Sequence, residues 1–207
     1  GIVTTNNKKL WEKMWSFKDH GKSFNAVYKK QKKPGFKWVH NSFGTNWRMT
    51  EIQGAIGREQ LKKIEKWNKK RNNYQDNIWS FSKKINGIRV PEFKCASCNI
   101  CNEKGCRHAA YKCYLFIDPT SLKKGWTRDK IIEEINNRNV PCYSGSCSEV
   151  YLEDAFKKDN LKPKIRLKNA KELGETSLMF LVHPTLTKKE ISYMCQTLEE
   201  VMKKATI

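Results

Sequence analysis

The densest group of reactive side chains in this 207-residue sequence is a run of closely spaced cysteines. Cys95, Cys98, Cys101 and Cys106 are followed shortly afterwards by His108. Thiolates and imidazoles are the ligands that Zn²⁺ and iron–sulfur clusters take in proteins. The C-x2-C-x2-C spacing is tighter than in most structural zinc sites, so a reduced thiol-rich loop, or a disulfide formed on oxidation, is the alternative. The four cysteines are therefore candidate metal ligands, for zinc before iron–sulfur.

Two further segments carry groups that suit a phosphate or a sugar. His108 precedes Lys112 at the start of an alternating apolar segment, and an imidazole beside a cation could attract a substrate phosphate. Tyr143 and Ser144 open a Ser/Gly-rich loop whose hydroxyls and backbone amides could bind a phosphate or a sugar. The alternative for each is a purely structural role, at a strand end or in an irregular connection.

The formal net charge of +20 comes from 41 basic and 21 acidic residues. Such a surface can attract phosphates, nucleic acid or anionic lipid. The basic residues are 33 lysines and only 8 arginines, with 17 asparagines beside them, whereas proteins that recognise nucleic acid rely on the planar fork of arginine. The charge indicates either a solvated lysine-rich background, as an AT-rich genome would produce, or a polyanion site, and a nucleic-acid partner is not favoured.

Composition and hydropathy are typical of a globular chain. Hydrophobic residues make up 38% and charged residues 30% of the sequence, and no apolar run approaches the ~18 residues of a membrane span. The first residues lack the basic segment and long apolar core of a secretory signal. We therefore expect a cytoplasmic location and no membrane partner.

One long stretch shows helical periodicity. Apolar residues recur at three- and four-residue steps from about Met49 to Ile85. This pattern predicts a single amphipathic helix whose apolar stripe, including Ile64 and Ile78, packs against the C-terminal sheet.

Shorter elements flank this helix on both sides. Residues 2–5 favour a strand, Asn6-Asn7 an N-cap for the next helix, and residues 17–43 a surface loop. Beyond the long helix the elements alternate as β-α-β-α-β-α, which predicts a compact two-layer α/β domain. Its last helix begins at a capping box formed by Thr187 and Glu190.

Several segments resemble motifs of the DegT/DnrJ/EryC1/StrS-type sugar aminotransferases. Residues 1–7, GIVTTNN, resemble that family's glycine–hydrophobic–threonine segment, and His20-Gly21 its histidine–glycine pair. Residues 44–57, GTNWRMTEIQGAIG, are similar to its G-x-N-x-R-M-x-E-I-Q-A-A-I-G signature. The resemblance extends over the whole chain, strongly over residues 1–80 and loosely beyond.

This resemblance implies the C-terminal portion of the aspartate-aminotransferase-like fold, working as a homodimer. Enzymes of this family use pyridoxal 5′-phosphate (PLP) to move an amino group from an amino-acid donor, often glutamate, to a nucleotide-linked keto sugar. Their products enter surface polysaccharides or related glycoconjugates. The family's Schiff-base lysine precedes the glycine–threonine segment, so the chain alone is expected to be inactive.

The resemblance also implies roles for particular residues. Asn46 matches the asparagine that reaches across the dimer to the cofactor phosphate, although it is also a suitable helix N-cap. Arg48 could bind a phosphate or carboxylate, or pair with Glu51 or Glu59. The candidate substrate-binding residues are Arg48, His108, Lys112, Tyr143 and Ser144.

We expect three regions. Residues 1–48 form the end of the large PLP domain and a dimer-contact loop, residues 49–87 a long connecting helix, and residues 88–207 a small α/β domain with the Cys-rich loop 95–106. The alternative is a basic module, held together by a cysteine-bound metal, that binds nucleic acid or another polyanion. The few arginines and the unbroken match of residues 44–61 argue against it.

Overall fold

A computed structural model describes residues 2–28, 39–92, 108–158 and 161–207. The chain divides into two compact units, Gly1–Lys62 and Lys63–Ile207. None of the helices in the described ranges is both long and apolar enough to cross a membrane. The candidate metal ligands Cys95, Cys98, Cys101 and Cys106 lie outside the described residues.

The first unit begins with two helices, α1 (Lys8–Lys18) and α2 (Phe24–Tyr28). Asn7 caps α1, because its Oδ1 accepts a hydrogen bond from the backbone N–H of Leu10 at 3.1 Å. The predicted cap is therefore confirmed. Aromatic rings join the two helices, with Trp11 and Trp15 each 5.3 Å from the ring of Phe24.

Two expectations for this unit are wrong. Residues 2–5 form no strand, since they pair with no other strand among the described residues. A strand needs a hydrogen-bonding neighbour, which local sequence does not reveal. The stretch 17–43, predicted as a loop, contains α2.

The long helix α3 spans Glu51–Ser82, close to its predicted bounds. The burial of its apolar stripe differs along the helix: Ile78 is 1% exposed, whereas Ile64 is 45% exposed. The expected burial is therefore confirmed for Ile78 and wrong for Ile64. Periodicity identifies the apolar side of a helix but not the surface that covers it.

Four strands of the second unit form one antiparallel sheet in the order β1-β2-β4-β3. The strands are β1 (Ile88–Arg89), β2 (Lys112–Ile117), β3 (Cys142–Tyr143) and β4 (Ser177–Leu181). Burial alternates along β2, where Cys113, Leu115 and Ile117 are buried. The sheet therefore has one face in the core.

The helices of this unit are α4 (Arg128–Asn136), α5 (Asp154–Lys158), α6 (Lys168–Thr176) and α7 (Lys188–Ala205). Short 3-10 turns lie at Pro119–Ser121 and Val150–Leu152. Thr187 and Glu190 form the predicted capping box at the start of α7, with Glu190 N donating to Thr187 Oγ1 at 3.3 Å and Thr187 N to Glu190 Oε2 at 2.7 Å.

One hydrophobic cluster holds these elements together. It combines the buried side of the sheet with α4, α7 and the C-terminal part of α3. Side chains from each of these elements are fully or almost fully buried, among them Ile78, Leu115, Ile131, Phe180 and Leu198. Burial of each such side chain contributes about 1.5–3 kcal/mol, which makes this cluster the main source of stability in the unit. The predicted two-layer α/β arrangement is confirmed.

Candidate active site

Asn46 lies in a segment that folds back on the end of α1. Backbone hydrogen bonds of 2.7–3.0 Å join residues 17–20 to residues 45–47, and Asp19 pairs with Asn46 as an antiparallel bridge. Gly21, at φ +83°, makes this approach possible, because a Cβ at this position would lie 1.6 Å from the carbonyl oxygen of Ser42. The backbone around Asn46 is therefore fixed within the first unit.

Arg48 determines which way the amide of Asn46 faces. Its Nε lies 3.5 Å from Asn46 Oδ1 and 3.4 Å from Oδ1 of Asp19, a carboxylate that is 5% exposed. Because a guanidinium only donates hydrogen bonds, the oxygen of Asn46 faces Arg48 and its NH₂ group is left to donate elsewhere. Asn46 itself is exposed, and no acceptor among the described residues engages this NH₂ group.

These contacts exclude two structural alternatives. Helix α3 is capped by Thr50, whose Oγ1 accepts from Gln53 N at 3.3 Å while Gln53 Oε1 accepts from Thr50 N at 2.9 Å. Asn46 is therefore not its N-cap. Arg48 pairs with Asp19 rather than with a glutamate of α3.

A second polar group lies beside the sheet of the second unit. Lys112 Nζ and the Tyr114 hydroxyl each lie 3.4 Å from Ser146 Oγ, and Ser146 N donates to the Tyr114 hydroxyl at 3.1 Å. Gly145 (φ +95°) permits this contact, because a Cβ there would be 2.5 Å from the ring of Tyr114. The loop after β3 is thus drawn onto Tyr114.

The loop Ser144–Glu149 lines a cleft of about 340 Å³. Ser144 O accepts from Ser177 Oγ at 2.5 Å at the start of this loop. Arg128 borders the same cleft and donates from Nη1 to the carbonyl oxygens of Gly174 and Ser177 at 3.0 Å. Hydroxyls, a guanidinium and an ammonium group therefore lie close together around this loop.

The structure brings some of the predicted substrate residues together. Lys112 and Ser144 lie at the Ser144–Glu149 loop, whereas Arg48 belongs to the first unit. Tyr143, about half exposed, neighbours the loop on β3 and pairs with Met179. His108 is exposed, and its Nδ1 accepts from the backbone N–H of Ala110 at 3.1 Å just before β2.

Sequence reasoning missed Tyr114, Ser146 and Arg128. Ser146 had a recognisable signal, since it follows Gly145 in the Ser/Gly-rich loop. Tyr114 and Arg128 sit on a regular strand and helix, where nothing in the local pattern distinguishes them from structural residues.

The model of the DegT/DnrJ/EryC1/StrS aminotransferase family matches residues 1–199. The chain belongs to this family. The predicted membership of this family is thereby confirmed.

Individual relatives agree with this assignment. An aminotransferase from Psychrobacter cryohalolentis of known structure is 48% identical and superposes with a TM-score of 0.85 over 97% of this chain and 51% of its own. A Methanocaldococcus jannaschii protein of uncharacterised function is 26% identical over 98% of this chain and 49% of its own. The UDP-4-amino-4,6-dideoxy-N-acetyl-beta-L-altrosamine transaminase of Helicobacter pylori is 43% identical over 30% of this chain and 15% of its own. The P. cryohalolentis and M. jannaschii proteins match almost all of this chain, which spans about half of the length of each. The structural match confirms the aminotransferase fold.

An ion pair between an exposed arginine and a largely buried glutamate borders the cleft of this family member. Glu149 accepts from Arg166 at 2.8 Å and 2.6 Å and from the Tyr151 hydroxyl at 2.5 Å. These bonds, first those from Arg166 and then that from Tyr151, lower the pKa of Glu149 to about 2. Glu149 therefore stays ionised in the folded state throughout the physiological pH range.

The described cysteines differ in exposure. Burial raises the pKa of Cys142 to about 12 and that of Cys195 to about 11, and it also raises the pKa of Cys113. Cys147, in the cleft loop, is exposed. Within the described ranges, no group of three or more His, Cys, Asp or Glu side chains could hold a metal ion.

Proposed function

We propose that this chain is the C-terminal portion of a PLP-dependent aminotransferase that acts on a nucleotide-linked keto sugar. The observation that carries the proposal is the outward-facing amide of Asn46 within the family's signature segment. Family membership supports amino transfer as the chemistry. The chain alone is proposed to be inactive, because the family's cofactor-binding lysine has no counterpart among the positions that match.

The residues around Asn46 fit the phosphate of PLP. The NH₂ group of Asn46 is a neutral donor, and the guanidinium of Arg48 lies beside it with its charge balanced by Asp19. In this proposal Asn46 donates a hydrogen bond to the phosphate, while Arg48, fixed by Asp19, keeps the amide oxygen turned away. When bound, PLP supplies an electron sink for amino transfer.

The Ser144–Glu149 loop suits the substrate. Lys112 Nζ offers positive charge, and Tyr114 and Ser146 offer hydroxyl groups at the same point. This combination can bind a diphosphate or the hydroxyls of a sugar. The H. pylori relative is named for a UDP-linked amino sugar, which supports a nucleotide sugar as substrate. In this proposal Tyr143 and His108 complete the substrate contacts at this loop, and Arg48 is a separate proposed substrate ligand in the first unit.

We propose a cytoplasmic homodimer in which Asn46 acts across the subunit boundary. The amino donor is an amino acid such as glutamate, and the product serves the biosynthesis of surface polysaccharides or related glycoconjugates. We separately propose that Cys95, Cys98, Cys101 and Cys106 bind a structural zinc ion. Metal analysis of the purified protein, before and after these cysteines are replaced by serine, tests this.

Mixing two variants of the complete enzyme, one impaired in PLP binding and the other unable to form the bond to PLP, tests the proposal. One variant carries Asn46→Ala and the other lacks the cofactor-binding lysine, and amino transfer to a nucleotide-linked keto sugar is assayed at limiting PLP. If Asn46 acts across the dimer, the mixed dimer has one site with both lesions and one intact site, so activity returns on mixing. If heterodimers form and no activity returns, the cross-dimer role of Asn46 is wrong.

A further inference from the structure

A cluster of hydrogen-bonded residues joins the end of the Ser144–Glu149 loop to a segment further along the chain. Glu149 and Arg166 are 17 positions apart, yet both carboxylate oxygens of Glu149 accept from the guanidinium of Arg166, at 2.8 Å and 2.6 Å. The Tyr151 hydroxyl donates to Glu149 Oε1 at 2.5 Å and accepts from the backbone N–H of Leu167 at 3.1 Å. We call Glu149, Tyr151, Arg166 and Leu167 the clasp.

The clasp combines a largely buried carboxylate with a guanidinium that is 47% exposed. The side chain of Glu149 is 9% exposed, and the bidentate geometry of its pair with Arg166 adds both strength and direction to the contact. Arg166 also lies 3.6 Å from Glu175, but that carboxylate is 58% exposed, so solvent weakens this second pair. Glu175 therefore provides a matched control for Glu149.

The clasp holds the end of a loop that is fixed at other points as well. Ser177 Oγ binds Ser144 O at the loop's start, and Tyr114 accepts from Ser146 N in its middle. Near its end, Ser148 packs directly on α6, where a Cβ at Gly174 would lie 2.0 Å from Ser148 Oγ. Ser144, Ser146 and Ser148 each contact a neighbouring strand or helix, so the clasp at Glu149 adds to contacts that already run along the loop.

We propose that the clasp positions the Ser144–Glu149 loop for binding of the nucleotide-sugar substrate. Glu149, Tyr151 and Arg166 are positioning residues, since they act through the loop rather than on the substrate. Loops held in their bound conformation gain affinity because less conformational entropy is lost on binding. The clasp should therefore affect substrate affinity more than the rate of the chemical step, and this part of the inference rests on the proposed function.

Hydrogen exchange in the 207-residue chain tests the positioning directly. In Glu149→Gln, exchange of the amides of Ser146 and Leu167 should accelerate about tenfold or more, because the charged partner of Arg166 is lost. The amides of α7 should exchange as in the unaltered chain, and Glu175→Gln should change none of these rates. The proposal is overturned if Ser146 keeps its protection in Glu149→Gln, or if α7 loses protection to the same extent, because the clasp would then be local or only structural.

Steady-state kinetics of the complete enzyme provide the second readout. Glu149→Gln should raise KM for the nucleotide sugar about tenfold or more with kcat nearly unchanged, Tyr151→Phe should raise it less, and Arg166→Lys should retain part of the affinity. A lower kcat with an unchanged KM would overturn the positioning role. If the unaltered enzyme transfers no amino group to any nucleotide sugar, the proposed function fails, whereas the exchange experiment still decides whether the clasp holds the loop.

Discussion

Replacement of Ile78 by alanine is expected to destabilise the chain far more than the same replacement of Ile64. Both residues lie on α3 and on the same predicted apolar stripe, but Ile78 is 1% exposed within the main cluster and Ile64 is 45% exposed. Truncation of a buried isoleucine removes apolar contacts and leaves a cavity, which costs about 2–5 kcal/mol. A largely exposed position usually changes stability by no more than about 0.5 kcal/mol.

Urea denaturation followed by circular dichroism measures both variants against the unaltered chain. Because helix propensity changes equally in Ile64→Ala and Ile78→Ala, the difference between them isolates burial. We expect Ile78→Ala to lower the free energy of unfolding by at least about 2 kcal/mol more than Ile64→Ala. Equal losses would refute the reasoning, since they would mean that the N-terminal part of α3 is covered in solution.

Three further predictions concern single side chains. The pKa of Glu149 is lowered to about 2 from its ordinary value of 4.5, so its contribution to stability is complete above about pH 4.5 and is lost as the pH falls toward 2. In urea titrations between pH 6 and pH 2, the free energy of unfolding should therefore fall less for Glu149→Gln than for the unaltered chain. An identical dependence of this free energy on pH in the two proteins would contradict the prediction. Thr187→Ala should cost about 1 kcal/mol of unfolding free energy because it removes the cap of α7. Urea denaturation measures this loss, with Ser192→Ala at an exposed position of the same helix as control; equal losses would argue against the cap. Asn46→Ala should weaken PLP binding by the complete enzyme about ten- to hundredfold, the value of one hydrogen bond to a charged group, measured by equilibrium dialysis; unchanged affinity would remove Asn46 from the phosphate site.

Much of the architecture could be predicted from local patterns. Three features depend only on residues within one element, so the sequence alone reveals them. They are the spacing of apolar residues in α3, the alternation of buried residues in β2 and the capping box at Thr187. The signature around Asn46 likewise identified the family. Residues 2–5 could not be assigned correctly, because a strand depends on a partner that local sequence does not contain.

The details of the site depend on contacts between distant positions. Arg48 pairs with Asp19 rather than with a nearby glutamate of α3, and Glu149 pairs with Arg166, which lies 17 positions further along the chain. Neither pair has a sequence signal, because charge and spacing along the chain do not fix which side chains meet after folding. The exposure of Ile64 has the same origin, since periodicity shows an apolar side but not what packs on it.

Amino transfer by the complete enzyme that contains this chain is the most direct test of the central claim. The protein, loaded with PLP and supplied with glutamate, is given a UDP-linked keto sugar and, separately, the same sugar without the nucleotide, and the products are measured by mass spectrometry. The account predicts an amino sugar from the nucleotide-linked substrate and far less from the unlinked one. A protein that retains PLP but aminates no nucleotide-linked keto sugar would contradict it.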